Sequence, residues 1–553
     1  MDRWQIAAIA LAVGLLAASL FFRPPATPPP PLSAPSETVF QPPASAADGR
    51  EPRSPVVEDA RPSAEQRAVT LSNDAVKIRV SNLGGRVEGI ELLNYRATVA
   101  RDSGPVELVT AISRGAMFLF LGPEPLRSLE AVPYTVVSKG QREVELRADH
   151  DGITVTRRIE LDESGYGGQM TVAIANASSG PVQAKLNLVF YGQERPATAP
   201  DHFPHYSLAA SVDGAVKRVP VQGVGSTGFV GSLLGRGPPT GTSYPPPTEW
   251  AGIDSQYFLV SAVPQNPPDA SAFLGPLGTD AGEAALSLQP VEVPSGAPFE
   301  RTYRLYFGPK VEEAVVAVDP RLEQAIAAGW AFVRPLVAGF GSLLHWTHEH
   351  IVPNYGVAII LLTILVRLLT FPLTQRSMKS MKKFSLIAPQ MKEIQEKHAD
   401  DREKLQEELM KLYRQKGMNP LAAMGGGCVP MIIQMPVMIA LYFALQTSID
   451  LRHAPFALWI RDLSAPEDFF SVAGVPIRLL PLLMGGSMLL QQRLSPAPNA
   501  DPQQRQMMTL MSVMFTFMFY QFPAGLVLYW FVSNLLGIAQ QLLVNRAPSP
   551  ATT

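Results

Sequence analysis

One arginine lies inside an otherwise apolar stretch of the chain. Arg367 is flanked by the largely apolar residues 362–366 and 368–371. A charge at this depth of a bilayer costs roughly 2.5–3.5 kcal/mol on insertion scales, so it normally faces water or a partner. The other apolar stretches offer no acidic partner, which indicates a positive site that would attract acidic groups of a transiting chain. The alternative is a side chain that snorkels to the membrane boundary near Arg376.

Methionine is the second residue type with an uneven distribution. Sixteen of the 19 methionines lie beyond Arg376. Flexible, polarizable side chains suit a surface that must accept many different apolar helices. Ordinary packing inside a membrane explains them equally well. The methionines that recur within two apolar stretches are Met431, Met435 and Met438, and then Met507, Met511, Met514 and Met518.

Residues 376–416 are strongly charged, with eleven Lys/Arg and seven Asp/Glu. Two short apolar stripes predict a helical hairpin, and Asp400 with Glu403 fits a capping box at the start of its second arm. Lysines on the first arm are candidates for docking to anionic lipid, ribosomal RNA or a partner protein. A solvated hairpin without a partner is the alternative. The candidate docking residues are Lys379, Lys382 and Lys383.

Other reactive residue types give no case for an enzyme. His345, His348 and His350 lie beside Glu349 where a helix meets the membrane surface, and we predict interfacial histidines and no metal site. The single cysteine, Cys428, excludes an internal disulfide. Nucleophile-elbow, phosphate-loop and zinc-protease motifs are absent from the sequence. We therefore predict no catalytic residue and no cofactor, and the net charge of −2 argues against a DNA partner.

The first half of the chain divides into three parts. The uncharged run at 4–22 predicts that residues 1–22 are a signal-anchor span, with a cleaved signal peptide as the alternative. Residues 23–67 are rich in proline and predict a disordered linker. Residues 68–312 alternate with period two, as at Val76, Ile78 and Val80. This pattern predicts an antiparallel β-sandwich with one solvated face.

The second half predicts helices in and on a membrane. An apolar stripe over residues 321–345 predicts that 313–350 is an amphipathic interfacial region, kinked at Pro335. Five further spans are predicted, and a turn at 522–525 divides the last two. Between the first two of these spans, residues 376–417 form the predicted hairpin. The five spans are 351–375, 428–449, 475–491, 507–521 and 524–544, followed by a short tail at 545–553.

The distribution of charged residues predicts the orientation of these six spans. With the N-terminus in the cytoplasm, the basic hairpin is also cytoplasmic and the uncharged turn at 522–525 is outside, as the positive-inside rule requires. Both chain termini are then cytoplasmic and residues 23–350 are periplasmic. The loop 450–474 is also outside but still carries Arg452 and Arg461, two exceptions to the rule.

Residues 329–541 resemble the YidC family of membrane protein insertases. The matches are long, ordered and specific, and the β-rich part adds weaker ones at 82–85 and 305–310. The matching stretches are ILVRLLTFPLT at 364–374, MNPL at 418–421, IQMP at 433–436, LRHAPFALWI with DLS at 451–464, and FPAGLVLYW at 522–530.

The resemblance implies an α-helical, six-span, multi-pass protein of the inner membrane, with a five-helix insertase core and an all-β periplasmic super-sandwich. Such proteins move short hydrophilic segments across the membrane, and apolar helices into it, through a groove open to lipid. In this sequence, the implied substrate-groove residues are Arg367, Thr363, Gln434, Tyr529 and Trp530. The methionines of 429–447 and 507–521 would form an apolar sliding surface.

The resemblance also implies partners. These are nascent membrane proteins, the SecYEG translocon with its accessory subunits, ribosomes, the signal recognition particle and membrane lipids. The tail after Val544 departs from relatives that carry a basic, ribosome-binding tail. Ribosome contact would then fall to the hairpin or be weaker.

Two other functions compete with an insertase. A secondary transporter usually has paired repeats and several polar groups near mid-membrane, whereas this chain has one arginine and no obvious repeat. A membrane-anchored carbohydrate-binding protein would act through its β domain and should carry clustered aromatic and carboxylate residues, which we do not identify.

Overall fold

The computed structural model describes residues 68–546 with gaps at 101, 110–115, 122–126, 151, 194–205, 222–240, 266–269, 278–280, 297, 327–328, 330–331, 399–400, 416–428, 468, 473–474 and 495–501. The predicted signal anchor and the Pro-rich linker lie outside the described residues. The chain forms two compact units, a β-rich one before Ala331 and a helical one mainly after it.

The described residues form 23 strands, of which all but the last two lie in the first unit. They are β1 (Ala68–Ser72), β2 (Val76–Ser81), β3 (Val87–Arg96), β4 (Pro105–Val109), β5 (Ala116–Leu121), β6 (Arg127–Ser128), β7 (Thr135–Lys139), β8 (Glu143–His150), β9 (Ile153–Leu161), β10 (Gly167–Asn176), β11 (Val182–Ala184), β12 (Asn187–Gln193), β13 (Tyr206–Val212), β14 (Ala215–Pro220), β15 (Thr242–Tyr244), β16 (Thr248–Ser255), β17 (Phe258–Pro264), β18 (Ala270–Pro276), β19 (Ala281–Leu288), β20 (Val291–Val293), β21 (Phe299–Pro309), β22 (Phe470–Val472) and β23 (Val475–Ile477).

Two large antiparallel sheets form the β-rich unit. The first has ten strands in the order β1-β2-β3-β5-β12-β19-β18-β15, with β4 beside β3 and β6 beside β5. The second has nine strands in the order β14-β13-β16-β17-β21-β10-β9-β8-β7. Short pairs join β11 to β20 and β22 to β23. In register, Met170 of β10 lies opposite Ile159 of β9 and Tyr303 of β21.

The alternation read from the sequence places the core between these sheets. Val76, Ile78 and Val80 are buried in one cluster with Val172 and Ile174 of the other sheet. This confirms the predicted sandwich, because apolar residues at every second position face the same side of a strand. The prediction of one solvated face is wrong for the centre of the nine-stranded sheet, where all residues of β17 are buried.

Short helices cover the outer face of that sheet. Helix α1 (Glu312–Val318) and a 3-10 helix (Pro320–Ala325) follow β21 directly. Leu322 packs with Trp250 in a second apolar cluster, and the indole Nε1 of Trp250 donates to the carbonyl of Arg321 at 3.1 Å. Residues 321–345 therefore do not form the single kinked helix that their apolar stripe predicts. The first part of the stripe covers a sheet.

Helices make up the second unit. Pro335 lies in the first turn of α2. Backbone N–H groups in the first turn have no partner within the helix, so a proline is tolerated there. The predicted kink at Pro335 is therefore wrong, because Pro335 lies at the start of a helix. The helices are α2 (Arg334–His350), α3 (Tyr355–Lys397), α4 (Arg402–Gln415), α5 (Val429–Thr447), α6 (Leu479–Leu494), α7 (Pro502–Phe519) and α8 (Ala524–Arg546), with a 3-10 turn at Ile449–Leu451.

Helix α3 runs without a break from a predicted span into the predicted hairpin. It has 43 residues and begins at Asn354, whose side chain accepts a hydrogen bond from the backbone N–H of Val357. Its last turns pack against α4 through Ile387, Met391 and Leu412, as the apolar stripes predict. Asp401 caps the second arm, because its Oδ1 accepts from the Lys404 N–H at 3.1 Å. Asp400 of the predicted capping box lies outside the described residues.

Helix α8 packs against both α3 and α6. It begins at Ala524, within the predicted turn at 522–525, where the amides of Ala524 and Gly525 donate to the carbonyls of Ala465 and Leu463. Two described segments are long and apolar enough to cross a membrane, Tyr355–Met378 and Ala524–Val544, and Gln506–Phe519 is a shorter apolar helix. The total of six spans remains a prediction.

Candidate functional site

A cavity of about 1080 Å³ lies among five helices of the second unit. Helices α3, α5, α6, α7 and α8 all contribute to its wall, so residues more than 160 positions apart in sequence meet there. The lining residues are Arg367, Gln434, Met438, Met488, Leu489, Gln491, Gln492, Arg493, Met507, Met508, Thr509, Met511, Ser512, Phe515, Tyr529, Trp530, Ser533 and Asn534.

Arg367 lies half-buried on this wall. Its guanidinium donates to Ser533 twice, from Nε to Oγ at 3.0 Å and from Nη2 to the backbone carbonyl at 2.6 Å. No ion pair joins it to a carboxylate among the residues that the structure describes. Gly537 leaves room for the side chain of Gln491, because a Cβ there would lie 2.8 Å from Gln491 Nε2. The arginine therefore presents an uncompensated positive charge beside a cavity.

Further polar groups extend this part of the wall. Gln434 Nε2 of α5 donates to the hydroxyl of Tyr529 at 2.5 Å, and Asn534 Nδ2 donates to Ser487 Oγ at 3.0 Å. Beyond the cavity lining, Thr374 and Gln540 continue the polar contacts between α3 and α8 through side-chain hydrogen bonds. Residues seven apart lie on the same face of a helix. Arg367 and Thr374 of α3 therefore form a continuous line of polar contacts with Ser533 and Gln540 of α8.

Methionines form much of the remaining wall. Met438, Met507 and Met511 line the cavity, and the last two are exposed. Met435 and Met518 are exposed and Met514 is half-buried, but these three are not lining residues. The side chain of Met431 lies outside the described residues. An arginine thus faces a flexible apolar surface across one cavity.

Comparisons with known proteins identify the family to which the chain belongs. Residues 346–550 match the family described as 60Kd inner membrane protein, and residues 68–338 match the YidC periplasmic domain. A membrane protein insertase YidC from Syntrophus aciditrophicus is 31% identical over 99% of this chain and 100% of the relative. The chain belongs to the YidC family. The relative of the same name from Aeromonas salmonicida is 32% identical over 89% of this chain and 88% of its own.

Among solved structures, the chain is similar to an active YidC insertase with its first transmembrane domain resolved. The identity is 18% and the TM-score 0.36, over 87% of this chain and 93% of that one. The YidC relatives are named as insertases and not as enzymes. YidC proteins are inner-membrane proteins, as the description of the matching family states.

The sequence predicted two further groups of functional residues, the groove residues from the YidC resemblance and the docking lysines from the charge of the hairpin. Thr363 is fully buried and its hydroxyl donates to the Ile359 carbonyl of its own helix at 2.6 Å, so it is packed in α3 and does not line the cavity. Trp530 does line it and packs edge-on against Phe519, with ring centroids 4.6 Å apart. Lys379, Lys382 and Lys383 lie on α3, but their side chains are outside the described residues.

Of the histidines near the end of α2, His345 lies beside two acidic side chains. His345 Nε2 lies 3.0 Å from Glu349 and its Nδ1 lies 3.6 Å from Asp450. Over the described part of the chain, no three His, Cys, Asp or Glu residues are grouped to hold a metal ion.

Sequence reasoning missed most of the polar wall in this YidC protein. Ser533 and Asn534 lie in the middle of an apolar span, and Gln491 and Gln492 lie at the end of another. A usable signal was present, since Thr509, Ser512 and Thr516 recur at spacings of three and four and so share one helix face. Only the fold shows that Thr509 and Ser512 line the same cavity as Arg367.

Proposed function

We propose that the cavity is where this insertase receives the hydrophilic segment of a client protein. The observation that carries the proposal is the Arg367 guanidinium, which lies on the cavity wall and pairs with no described carboxylate. A carboxylate of a client would pair with it more strongly than in bulk water, because the dielectric constant beside a protein cavity is lower. The protein performs no bond chemistry and lowers the barrier to moving a short polar segment through lipid.

The methionine-lined wall is proposed to hold the apolar part of the same client. Met438, Met488 and Met511 line the cavity from three different helices. Their unbranched side chains adapt to client helices of many shapes. A client then has its polar segment near Arg367 and its apolar segment along α5 and α7, from which it moves into lipid.

The proposed topology has six spans, with both chain termini in the cytoplasm and residues 23–350 in the periplasm. Nascent membrane proteins are the clients. The SecYEG translocon with its accessory subunits, the ribosome and the signal recognition particle are the proposed partners. The predicted orientation places the α3–α4 hairpin on the cytoplasmic side, where clients and ribosomes arrive.

Site-specific photo-cross-linking tests the path of the client. A photoreactive residue at Met488 or Met511, both on the cavity wall, is expected to cross-link to a stalled client chain. The matched control is Leu543 of α8, which is exposed and is not a lining residue. Cross-links of equal yield at all three positions would contradict the cavity path, provided that the variants accumulate equally in membranes.

The hairpin is proposed to be a docking element for ribosomes or incoming chains. Replacing Lys379, Lys382 and Lys383 with Gln is expected to reduce ribosome or client cross-linking, because the attraction to anionic surfaces falls with the charge. The matched control replaces Lys392, Lys404 and Lys411, each of which already pairs with a carboxylate. If both triple variants lowered the cross-linking yield equally, the effect would come from net charge and not from docking. If the Lys379, Lys382 and Lys383 variant did not lower the yield, the hairpin would have no docking role.

A further inference from the structure

The loop that connects α5 to α6 is firmly anchored despite having little secondary structure. Asn354 Nδ2, at the start of α3, donates to the carbonyl of Phe456 at 2.9 Å. The amide of Gly525, at the start of α8, donates to the carbonyl of Leu463 at 2.9 Å. Ile460 and Leu463 are buried. The loop is thus fixed against the first turns of the two described segments that are able to span a membrane.

Apolar side chains nevertheless point away from this anchored loop. Leu458 is 90% exposed, Val472 is 55% exposed and Phe470 is 48% exposed. The backbone of Leu458 has φ 57°, a left-handed conformation that costs a non-glycine residue roughly 1–2 kcal/mol. A large apolar residue is thus held outward in an unfavourable conformation, which is typical of a residue whose exposure serves a contact.

Aromatic rings and a cation complete the surface. Phe469 contacts both Trp459 and Phe470, with centroids 5.1 Å apart in each pair. Glu467 holds this cluster in place, accepting from Trp459 Nε1 at 2.5 Å and from the amide of Leu480. Arg461 is exposed and forms no ion pair with any carboxylate in the described chain. We define Leu458, Phe469, Phe470, Val472 and Arg461 as the loop patch.

The position of the loop patch points to lipid. The patch belongs to a loop that is fixed against the first turns of α3 and α8. A spanning helix meets the membrane–water boundary at such an end. Trp, Phe and Leu side chains are favoured at that depth, and an adjacent arginine reaches the phosphate layer. Helix α2 belongs to the same boundary, since His345 lies 3.6 Å from Asp450 at the start of the loop, and α2 exposes Trp346.

We propose that the loop patch inserts into the interfacial layer of the bilayer on the side where α3 begins, with Arg461 bound to lipid phosphate. This accounts for an arginine in a loop that the positive-inside rule assigns to the outer side. A contact with acyl chains explains the outward Leu458, Phe470 and Val472 together, and an anionic headgroup explains the exposed Arg461 beside them. The occupant of this surface is phospholipid.

Spin-label accessibility in the full-length protein tests this contact. In a Cys428→Ser background, which removes the sequence's single cysteine, nitroxide labels are attached at Leu458→Cys, Phe470→Cys and Ser471→Cys. Successive residues of a strand face opposite sides, so Ser471 of β22 is the matched control for Phe470. The purified protein is reconstituted in vesicles of phosphatidylcholine and phosphatidylglycerol at high dilution, so that a second protein cannot cover the patch.

The labels at Leu458 and Phe470 are expected to show a several-fold higher ratio of oxygen to nickel-complex accessibility than the label at Ser471. Arg461→Gln is expected to reduce this ratio at Phe470, and to reduce it more when phosphatidylglycerol is present than in phosphatidylcholine alone, because choline offsets the phosphate charge in the latter. Equal nickel accessibility at all three labels, in protein that elutes as a folded monomer, would overturn the proposal. Shielding that appears only at high protein density would assign the patch to a protein contact and also overturn it.

Discussion

Two arginines without a described carboxylate partner occupy very different surroundings in the two units. Arg157 is fully buried in the core of the sandwich, where its Nη2 donates to the Met117 carbonyl at 2.6 Å and its Nε contacts Met170 Sδ at 3.2 Å. Its Nη1 and the hydroxyls of Tyr134 and Tyr303 have no hydrogen-bond partner among the described residues. Arg367 is half-buried, is held twice by Ser533, and lines a cavity.

The difference separates a charge buried in a protein core from one that we propose acts on clients. Burial lowers the pKa of Arg157 to about 10, and the nearby Tyr134 and Tyr303 oppose this shift only in part. Burial likewise raises the pKa of Tyr134 to about 12. No client can reach a guanidinium sealed in this way. Arg367 carries the same charge but lies on a surface that a ligand can reach. Loss of Arg157 should therefore lower stability, whereas loss of Arg367 should slow client insertion.

Arg157→Ala is expected to give the largest loss of stability. The substitution leaves a cavity in a packed core and removes the donor to the Met117 carbonyl, so the sandwich should lose about 3 kcal/mol. Hydrogen exchange of β9 and β10 measures this loss, and insertion under permissive conditions should be retained. Arg157→Met is the control, because an apolar side chain of similar length often replaces a buried charge at little cost. Lost insertion in a stable Arg157→Met variant would break the comparison.

Asp319→Ala is expected to have a smaller effect, confined to the helices that cover the nine-stranded sheet. Asp319 Oδ1 accepts from the amide of Arg321 at 3.0 Å and caps the 3-10 helix, so its loss should cost about 1 kcal/mol. Burial opposes ionisation of Asp319, but the hydrogen bonds and charge of Arg321 outweigh it and lower the pKa.

The lowered pKa fixes the sign of the pH dependence. The ionised carboxylate stabilises the fold at neutral pH, and this contribution is lost as the pH falls below about 4. Exchange protection of residues 320–325 should therefore fall with acidification in the parent protein and be low throughout in Asp319→Ala. Identical pH profiles in the two proteins would contradict this role.

Ser533→Ala is expected to have the smallest effect and to sharpen the account of Arg367. The change removes the Oγ acceptor but keeps the carbonyl bond, so the guanidinium loses orientation and not charge. Insertion of an acidic client should slow about threefold, equivalent to about 0.7 kcal/mol. Ser512→Ala, which removes another hydroxyl from the lining, is the control. Equal slowing in both variants would mean that Ser533 has no special link to Arg367.

The sequence predicted some of these features and not others for physical reasons. Alternation at Val76–Val80 predicted the sandwich because one strand face must be dry. Arg367 was singled out because it is a charged residue in an apolar run, where burying a charge is costly. Ser533 escaped notice because a hydroxyl in an apolar span is inexpensive, and its contact with Arg367 joins residues 166 positions apart. Leu322 was misplaced because one apolar stripe serves equally well on a membrane or a sheet.

The central claim is that the charge of Arg367 acts on acidic client segments. The measurement is insertion of two clients that differ only in the carboxylates of their translocated tails, with insertase abundance checked by immunoblot. Arg367→Ala should slow the acidic client roughly tenfold, equivalent to about 1.4 kcal/mol, and the uncharged client far less. Arg367→Lys keeps the charge and should retain much of the activity. Equal loss for both clients, or no loss for either, would contradict the electrostatic role and leave Arg367 as a structural residue.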